Sequence, residues 1–174
     1  LGENAYLAFP TVHIYHRGYL IEITAGSGNT QEQTDLLLLL GQKEVENAEG
    51  GKIYAEALAL KKLCDKYNVP LIIDDRLDIA IAVKAAGVHI GQEDIPCNIA
   101  REVLGDDYII GVSAHNPEEA RKAIADGADY LGCGAVYATT TKAKVTALGL
   151  DGLAAIRRAV DVPIVGIGGV DLTN

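Results

Sequence analysis

The chain has 174 residues, of which 49% are apolar and 22% are charged, and its formal net charge is −9. This composition is that of one globular domain with enough apolar residues for a sizeable core. The acidic balance and the lack of a Lys/Arg cluster argue against a nucleic-acid-binding protein. No apolar run, including residues 36–40, is long enough to span a membrane.

The three cysteines, Cys64, Cys97 and Cys133, follow neither a metal-ligand nor a disulfide spacing. We therefore interpret them as reduced thiols of a cytoplasmic protein. No secretory signal with a basic start, an apolar middle and a small-residue cleavage site is visible. The sequence predicts a single domain over residues 1–174 and leaves open whether that domain forms a homo-oligomer.

The first fifty residues carry the weakest periodicity. Residues 19–24 are predicted as the first strand and residues 36–40 as the second, with a loop-like Gly/Ser/Asn segment at residues 25–30 between them. Only about a dozen residues separate the two strands, which is short for a crossover helix.

From about residue 52 onward, strand and helix signals alternate. Helices are predicted over residues 52–67, 77–86, 95–104, 116–126 and 150–160. Strands are predicted over residues 69–73, 88–90, 108–112, 129–133 and 163–167. Asn68, Gly87 and Gly127 are expected to end helices, and Asn116 with Pro117 to begin one. Because the strands are apolar on both faces, we expect a parallel sheet covered by helices.

Polar or glycine residues recur just after these strands, and they are Asp74-Asp75, Gln92-Glu93-Asp94, Ser113, Thr139 to Lys142, and Gly168-Gly169. Residues from many successive strand ends converge only in a closed barrel, whereas a doubly wound sheet gathers them from a few strands. We therefore predict an α/β fold of the (β/α)8 TIM-barrel type. Such barrels usually need about 200–250 residues. At least one βα unit is therefore expected to be missing at the C-terminus.

The carboxylates after two neighbouring strands suggest a metal site. Asp74 and Asp75 follow one strand and Asp94 follows the next, and Mg²⁺ takes one or two carboxylates together with substrate phosphates and waters. The alternative is a solvated turn and a helix cap. Arg76 is expected to pair with a nearby carboxylate, because a cation there would compete with a metal.

Ser113 and two histidines offer a different kind of site. No acid completes a Ser/His/Asp arrangement with Ser113, so we interpret it as a hydrogen-bond donor to a phosphate rather than a nucleophile. His115 is expected to be a loop or helix-cap residue. His89 lies inside a strand and is expected to be a buried histidine with its hydrogen bonds satisfied.

Two further segments have the chemistry of an anion site. Thr139, Thr140, Thr141 and Lys142 offer three hydroxyls and an ammonium, and a lysine with Mg²⁺ can stabilise the charge that develops on a departing diphosphate. Gly168-Gly169 allows backbone N–H groups to approach phosphate oxygens, although paired glycines can also make a simple tight turn.

Taken in order, these segments resemble the thiamine-phosphate synthase family. The resemblance covers roughly residues 52–174 and is carried by Leu-Ile-Ile-Asp-Asp-Arg from Leu71, Gly-Val-His-Ile-Gly-Gln-Glu-Asp from Gly87, Gly-Val-Ser from Gly111 with His115, Tyr137 to Lys142, and Val165 to Gly169. It implies a transferase that joins hydroxymethylpyrimidine diphosphate to thiazole phosphate through a pyrimidine carbocation. The partners it implies are these small molecules.

The resemblance also implies roles for individual residues. Asp75 and Asp94 would hold Mg²⁺, and Asp74 would contact the pyrimidine substrate where the family usually has Asn. The residues implied to bind the phosphate groups and the remaining substrate atoms are Gln42, Ser113, Thr139, Thr141, Lys142, Gly168 and Gly169, with Ser113 and Lys142 at the departing diphosphate.

Departures from the family pattern leave two alternatives open. Gln42 is retained, but Glu44 and Glu46 stand where the family has Arg and Lys, and Ala138 replaces a proline. Two acids facing a diphosphate would repel it. This slightly favours the related thiazole tautomerase, an isomerase of the same barrel, whereas the retained Asp75, Asp94 and Thr139 to Lys142 favour the synthase. A non-catalytic barrel that binds a phosphate ligand is the other alternative.

Overall fold

The structure of the protein is a computed structural model that describes residues 11–16, 19–24, 50–137 and 147–170. The chain divides into two compact units, Leu1–Val88 and His89–Asn174. Within the described ranges, no helix is both long and apolar enough to cross a membrane. Each unit contains helices and strands, so the α/β class predicted from the sequence is confirmed.

The first feature described in the first unit is an antiparallel hairpin of β1 (Thr11–His16) and β2 (Tyr19–Thr24). The hairpin pairs antiparallel with β3 (Leu71–Asp74), where Ile21 lies opposite Ile73. The predicted strand at residues 19–24 is confirmed, but among the described residues it follows another strand, β1, and it is not parallel to β3. Only two residues separate β1 from β2, and a parallel pair would need a crossover of a dozen or more.

The alternation of apolar and polar residues in β1 was the signal for this missed strand. All strands of a (β/α)8 barrel are parallel, whereas β2 pairs antiparallel with both β1 and β3. The complete (β/α)8 barrel therefore stays a prediction. The strand predicted at residues 36–40 lies outside the described residues.

Helix α1 (Gly50–Tyr67) buries a stripe of Ala57, Leu60 and Cys64, which follows from the helical spacing of these apolar residues. It ends as predicted at Asn68, which has a φ of 54°. The backbone N–H of Val69 then donates to the carbonyl of Cys64 at 2.9 Å. Asparagine tolerates this left-handed conformation better than most residues, so the turn stops the helix directly before β3.

Helix α2 (Leu77–Val83) is shorter than predicted. Lys84 adopts the left-handed conformation with a φ of 54°, and the N–H of Ala85 donates to the carbonyl of Ala80 at 2.9 Å. This hydrogen bond closes the helix three residues before Gly87. The prediction that Gly87 ends the helix was therefore wrong, because Gly87 is the first residue of β4 (Gly87–Ile90).

The second unit is a parallel sheet with intervening helices. Its elements are α3 (Cys97–Leu104), β5 (Ile109–Ala114), α4 (Pro117–Ala125), β6 (Tyr130–Gly134), α5 (Gly149–Ala159) and β7 (Ile164–Ile167). β6 pairs in parallel with β5 on one side and with β7 on the other. The predicted parallel arrangement is confirmed for these three strands, and the element boundaries are within two residues of the prediction.

The three cysteines are free and buried, which agrees with their interpretation as reduced thiols. Burial raises the pKa of the Cys64 and Cys133 thiols to about 11. Both side chains are therefore neutral near pH 7 and act as small apolar core residues.

Candidate functional site

The carboxyl ends of β5, β6 and β7 meet at one edge of the parallel sheet. Ser113 lies opposite Gly132 in the ladder between β5 and β6, and Gly132 lies opposite Val165 in the ladder between β6 and β7. Ser113 is within β5 rather than after it, because the strand continues to Ala114. Gly168 directly follows β7, so this edge brings together two of the predicted substrate-binding segments.

The backbone segments that follow β6 and β7 remain hydrogen-bonded beyond the strands. Val136 donates its N–H to the carbonyl of Ile167 at 2.8 Å, and Tyr137 donates to the carbonyl of Gly168 at 2.9 Å. Gly168 has a φ of +90°, and a Cβ there would lie 2.6 Å from the Cβ of Ala135. Glycine at this position is therefore required both by the backbone conformation and by the close approach.

Ser113 takes part in a cluster of polar side chains. Its Oγ is 3.0 Å from Nε2 of His89, and Nδ1 of His89 is 3.0 Å from the hydroxyl of Tyr130. Nε2 of Gln92 donates to the Ser113 carbonyl at 2.6 Å. His89 is only 5% exposed, which confirms the expectation of a buried and hydrogen-bonded histidine. The cluster fixes both the backbone and the side chain of Ser113.

His115 belongs to the start of helix α4, as predicted. Its backbone N–H and its Nδ1 contact Oε2 of Glu119 at 2.8 and 2.9 Å. Asn116 caps the helix, because its Oδ1 accepts from the Glu119 N–H at 2.9 Å. Burial raises the pKa of Glu119, but the hydrogen bonds from His115 outweigh it, so the pKa lies below its ordinary value. We therefore assign His115 and Glu119 to a helix cap.

Asp94 lies in an exposed turn between β4 and α3. Its Oδ2 accepts from the backbone N–H of Gly91 at 2.7 Å. A Cβ at position 91 would lie 2.8 Å from that oxygen, so glycine leaves the space in which the carboxylate folds back. One carboxylate oxygen is held in place, and an ionised carboxylate has about four lone-pair sites in total.

In the first unit, Asp74 is the last residue of β3 and only 7% exposed, whereas Asp75 follows it with a φ of 58°. Arg76 pairs with Asp78, with Nε to Oδ1 at 2.7 Å and a terminal nitrogen to Oδ2 at 2.5 Å. The side-chain hydrogen bond from Arg76 lowers the pKa of Asp78. The predicted local pairing of Arg76 is thus confirmed, with Asp78 as its partner.

No group of three or more His, Cys, Asp or Glu side chains that could hold a metal ion occurs in the described part of the chain. Mg²⁺ commonly uses only one or two carboxylates, and the assignment of Asp75 and Asp94 as its ligands stays a prediction. Several predicted site residues lie outside the described ranges, and these are Gln42, Thr139, Thr141 and Lys142, together with Glu44, Glu46 and Ala138.

A family model described as Thiamine monophosphate synthase matches residues 37–174. The chain belongs to the thiamine monophosphate synthase family. The resemblance inferred from the five sequence segments is thereby confirmed, and it extends upstream of residue 52 to residue 37.

Two relatives named thiamine-phosphate synthase agree with this family assignment. One from Clostridium tetani is 48% identical over 135 residues, covering 78% of this chain and 65% of that protein. Another from Clostridium acetobutylicum is 51% identical over 138 residues, covering 79% and 64%. The chain thus spans slightly less than two thirds of the length of these relatives.

A solved thiamine phosphate pyrophosphorylase from Pyrococcus furiosus has a similar fold. It superimposes with a TM-score of 0.66 at 39% sequence identity, covering 73% of this chain and 60% of that one. The α/β fold of this member of the thiamine monophosphate synthase family is therefore similar to a solved structure that bears a related name.

Tyr130 and Gln92 are neighbours of the predicted site in this thiamine monophosphate synthase family member that were not identified from the sequence. Both contact Ser113 or its partner His89. A phenol at the start of an otherwise apolar strand was the available signal for Tyr130. Gln92 was visible only as part of the polar segment after β4.

Proposed function

We propose that the protein is a transferase that forms thiamine phosphate. Hydroxymethylpyrimidine diphosphate loses its diphosphate, and the thiazole phosphate nitrogen attacks the resulting pyrimidine carbocation. The products are thiamine phosphate and diphosphate. The observation that carries this proposal is the family match over residues 37–174, together with relatives near 50% identity that bear the synthase name.

The geometry of the second unit supports a site for two phosphorylated substrates. Ser113 and Gly168 belong to the same edge of the parallel sheet, and the chain that leads to Thr139 and Lys142 begins beside Gly168. In the proposal, Ser113 and Lys142 bind the departing diphosphate. The thiazole phosphate is bound by Thr139, Thr141, Gly168 and Gly169.

Hydrogen-bond donors have to carry much of the phosphate binding, because the formal net charge of the chain is −9. Donors fixed before the reaction stabilise developing negative charge without reorganisation. In the proposal, Ser113 holds such a donor at a fixed point of β5, Gly169 contributes its backbone N–H, and Lys142 contributes a full positive charge. Gln42 and Asp74 contact the remaining substrate atoms, with Asp74 at the pyrimidine.

Mg²⁺ is the proposed cofactor, with Asp75 and Asp94 as its carboxylate ligands. When bound, it would supply positive charge next to the diphosphate. Asp94 suits this role because one oxygen is already oriented by the N–H of Gly91, which limits the freedom of the carboxylate. In the proposal, Arg76 does not compete with Mg²⁺ for the carboxylate ligands, since the guanidinium of Arg76 pairs with Asp78.

Several broader features belong to the same proposal. We propose that the whole protein completes a (β/α)8 barrel, that it works in the cytoplasm, and that its partners are the two small-molecule substrates. The parallel pairing of β5, β6 and β7, with a helix between successive strands, supports the barrel. Since the matched relatives bear the synthase name, the synthase is favoured over the thiazole tautomerase.

The direct test is an activity assay on the full-length protein. Both precursors are supplied with Mg²⁺, and thiamine phosphate and diphosphate are quantified by chromatography. We expect the two products in equal amounts, and neither product when one precursor is omitted. Absence of both products from folded protein would rule out the transferase, and isomerisation of the thiazole precursor alone would identify the tautomerase.

A further inference from the structure

The hydroxyl of Ser113 contacts a buried histidine, His89, to which the proposed function assigns no role. Nε2 of His89 faces Oγ of Ser113 at 3.0 Å, and Nδ1 of the same ring faces the hydroxyl of Tyr130 at 3.0 Å. His89 is 5% exposed, so little of this residue is accessible to water. Both ring nitrogens are therefore engaged by hydroxyl groups.

Two glycines make the space for this pair of rings. A Cβ at Gly132 would lie 2.8 Å from Cε1 and 3.1 Å from Nε2 of His89. A Cβ at Gly111 would lie 2.0 Å from Cζ of Tyr130. Gly132 is the ladder partner of Ser113, and Gly111 is the ladder partner of Tyr130. The sheet thus lacks side chains at the two positions where they would displace His89 or Tyr130.

The tautomer of His89 links the directions of its two hydrogen bonds. A neutral imidazole has one N–H and one acceptor nitrogen. A phenol is a good donor, and if Tyr130 donates to Nδ1, then Nε2 carries the proton and donates to Oγ of Ser113. The single proton of the Ser113 hydroxyl is then available to a third group. Each bond in such a chain polarises the next.

We propose that His89 is a positioning residue for Ser113, directing the Ser113 O–H toward an oxyanion of the departing diphosphate, with Tyr130 fixing the tautomer of His89. This proposal rests on the proposed function, in which Ser113 binds the diphosphate. The hydroxyl oxygen accepts from His89 and its proton points to the anion. Without His89, the hydroxyl would rotate among several partners and bind the diphosphate less well.

Two substitutions of His89 distinguish loss of the hydrogen bond to Ser113 from loss of the imidazole ring itself. His89→Gln places an amide nitrogen near the position of Nε2, so a donor to Ser113 is retained. His89→Asn has a shorter side chain, whose amide reaches only the position of Nδ1. We expect kcat to fall about tenfold in H89N and to stay within about threefold of wild type in H89Q. Equal losses in both variants would contradict the positioning role.

A double-mutant cycle with Ser113→Ala decides whether His89 acts through Ser113. We expect H89N to reduce kcat about tenfold in the wild-type background and to have no further effect in the S113A background. A purely structural role predicts the same loss in both backgrounds. Additive losses would therefore overturn the proposal, and urea unfolding of each variant shows whether the fold is retained.

Tyr130→Phe provides a second route that preserves the ring in the core. It removes only the hydroxyl that faces Nδ1, and we expect kcat to fall about threefold. Tyr108→Phe is the matched control, since Tyr108 contacts Arg101 through its backbone carbonyl. A kcat for Y130F equal to that of Y108F would show that Tyr130 does not fix His89.

Titration of the protein with inorganic diphosphate tests the proposal independently of turnover. We expect the dissociation constant to rise about tenfold in H89N and to be unchanged between S113A and the double variant. If the wild type forms no thiamine phosphate, the proposed function fails, and the titration still decides the role of His89. A wild-type protein that does not bind diphosphate would overturn both.

Discussion

The backbone N–H of Tyr137 donates to the carbonyl of Gly168 at 2.9 Å. This bond joins the segment after β6 to the glycine pair after β7. Both segments were predicted from the sequence to bind phosphate, but the sequence does not show whether they lie close together in the fold. Because the contact lies beyond the ends of both strands, it brings the backbone leading to Thr139 next to Gly168.

The first prediction concerns Gly168. Gly168→Ala introduces a Cβ into a backbone with a φ of +90° and places it 2.6 Å from the Cβ of Ala135. We expect the free energy of unfolding to fall by about 3 kcal/mol, from conformational strain and from overpacking together. Urea unfolding measures the loss, and the KM for thiazole phosphate should rise because the Tyr137 contact is displaced.

Gly105→Ala is the matched control for this substitution. Gly105 has a similar φ of +72°, but a Cβ there meets nothing within 4 Å. Its loss should be about 1–3 kcal/mol from the backbone conformation alone, because a ψ of −171° places Gly105 in a region that essentially only glycine adopts, and KM should not change. Equal losses at the two positions would show that the approach of Gly168 to Ala135 contributes nothing.

The second prediction concerns the proposed metal ligand Asp94. Asp94→Asn retains an oxygen that can accept from the Gly91 N–H but removes the negative charge. We expect the Mg²⁺ concentration for half-maximal activity to rise about tenfold, as measured by titrating the metal in the activity assay. The fold should be retained, because the turn from Gly91 to Asp94 keeps its hydrogen bond.

Glu93→Gln serves as the control, because Glu93 is an exposed neighbouring carboxylate and its loss changes the net charge by the same amount. E93Q should leave the Mg²⁺ dependence unchanged. If D94N and E93Q change the Mg²⁺ dependence equally, Asp94 is not a metal ligand. The effect of either substitution would then come from the change in net charge.

The third prediction concerns Lys142, which was identified from the sequence and lies outside the described residues. Lys142→Ala should reduce kcat about a hundredfold, because a positive charge that stabilises the departing diphosphate is lost. Lys144→Ala, two residues further along, is the control and should retain most of the activity. An unchanged kcat in K142A would show that Lys142 does not stabilise the leaving group.

Most elements after residue 52 were predictable because their signals are local. The end of α1 at Asn68, the cap at Asn116 and the pairing of Arg76 with Asp78 each depend on residues within a few positions of one another. The same is true of the alternation of strands and helices. Interactions between residues this close in the chain can be predicted from the sequence alone.

Other features depend on residues that are far apart in the chain. Ser113 and His89 are separated by 24 positions, and Tyr130 and His89 by 41. Periodicity placed His89 in a strand and Ser113 near the end of another, but only the fold shows that they touch. The antiparallel pairing of β2 with β3 was missed for the same reason, since strand direction is set by tertiary packing.

The last prediction uses the helix cap at His115 and Glu119. The pKa of Glu119 lies below its ordinary value in the folded protein, since hydrogen bonds from His115 outweigh the effect of burial. A carboxyl with a lowered folded-state pKa stabilises the fold above its unfolded-state pKa. That contribution disappears as the pH falls through the folded-state pKa. Glu119→Gln should therefore destabilise the protein at pH 7, by about 0.5–1 kcal/mol.

The difference between wild type and E119Q should shrink as the pH falls from about 5 to below 4, because the wild-type carboxyl becomes protonated. Urea unfolding at several pH values measures it. Glu118→Gln is the control, since Glu118 is exposed in the same helical turn and pairs with Arg121 at 2.9 Å. A pH-independent difference for E119Q would mean that the charge of Glu119 does not stabilise the cap, whereas a difference confined to neutral pH supports it.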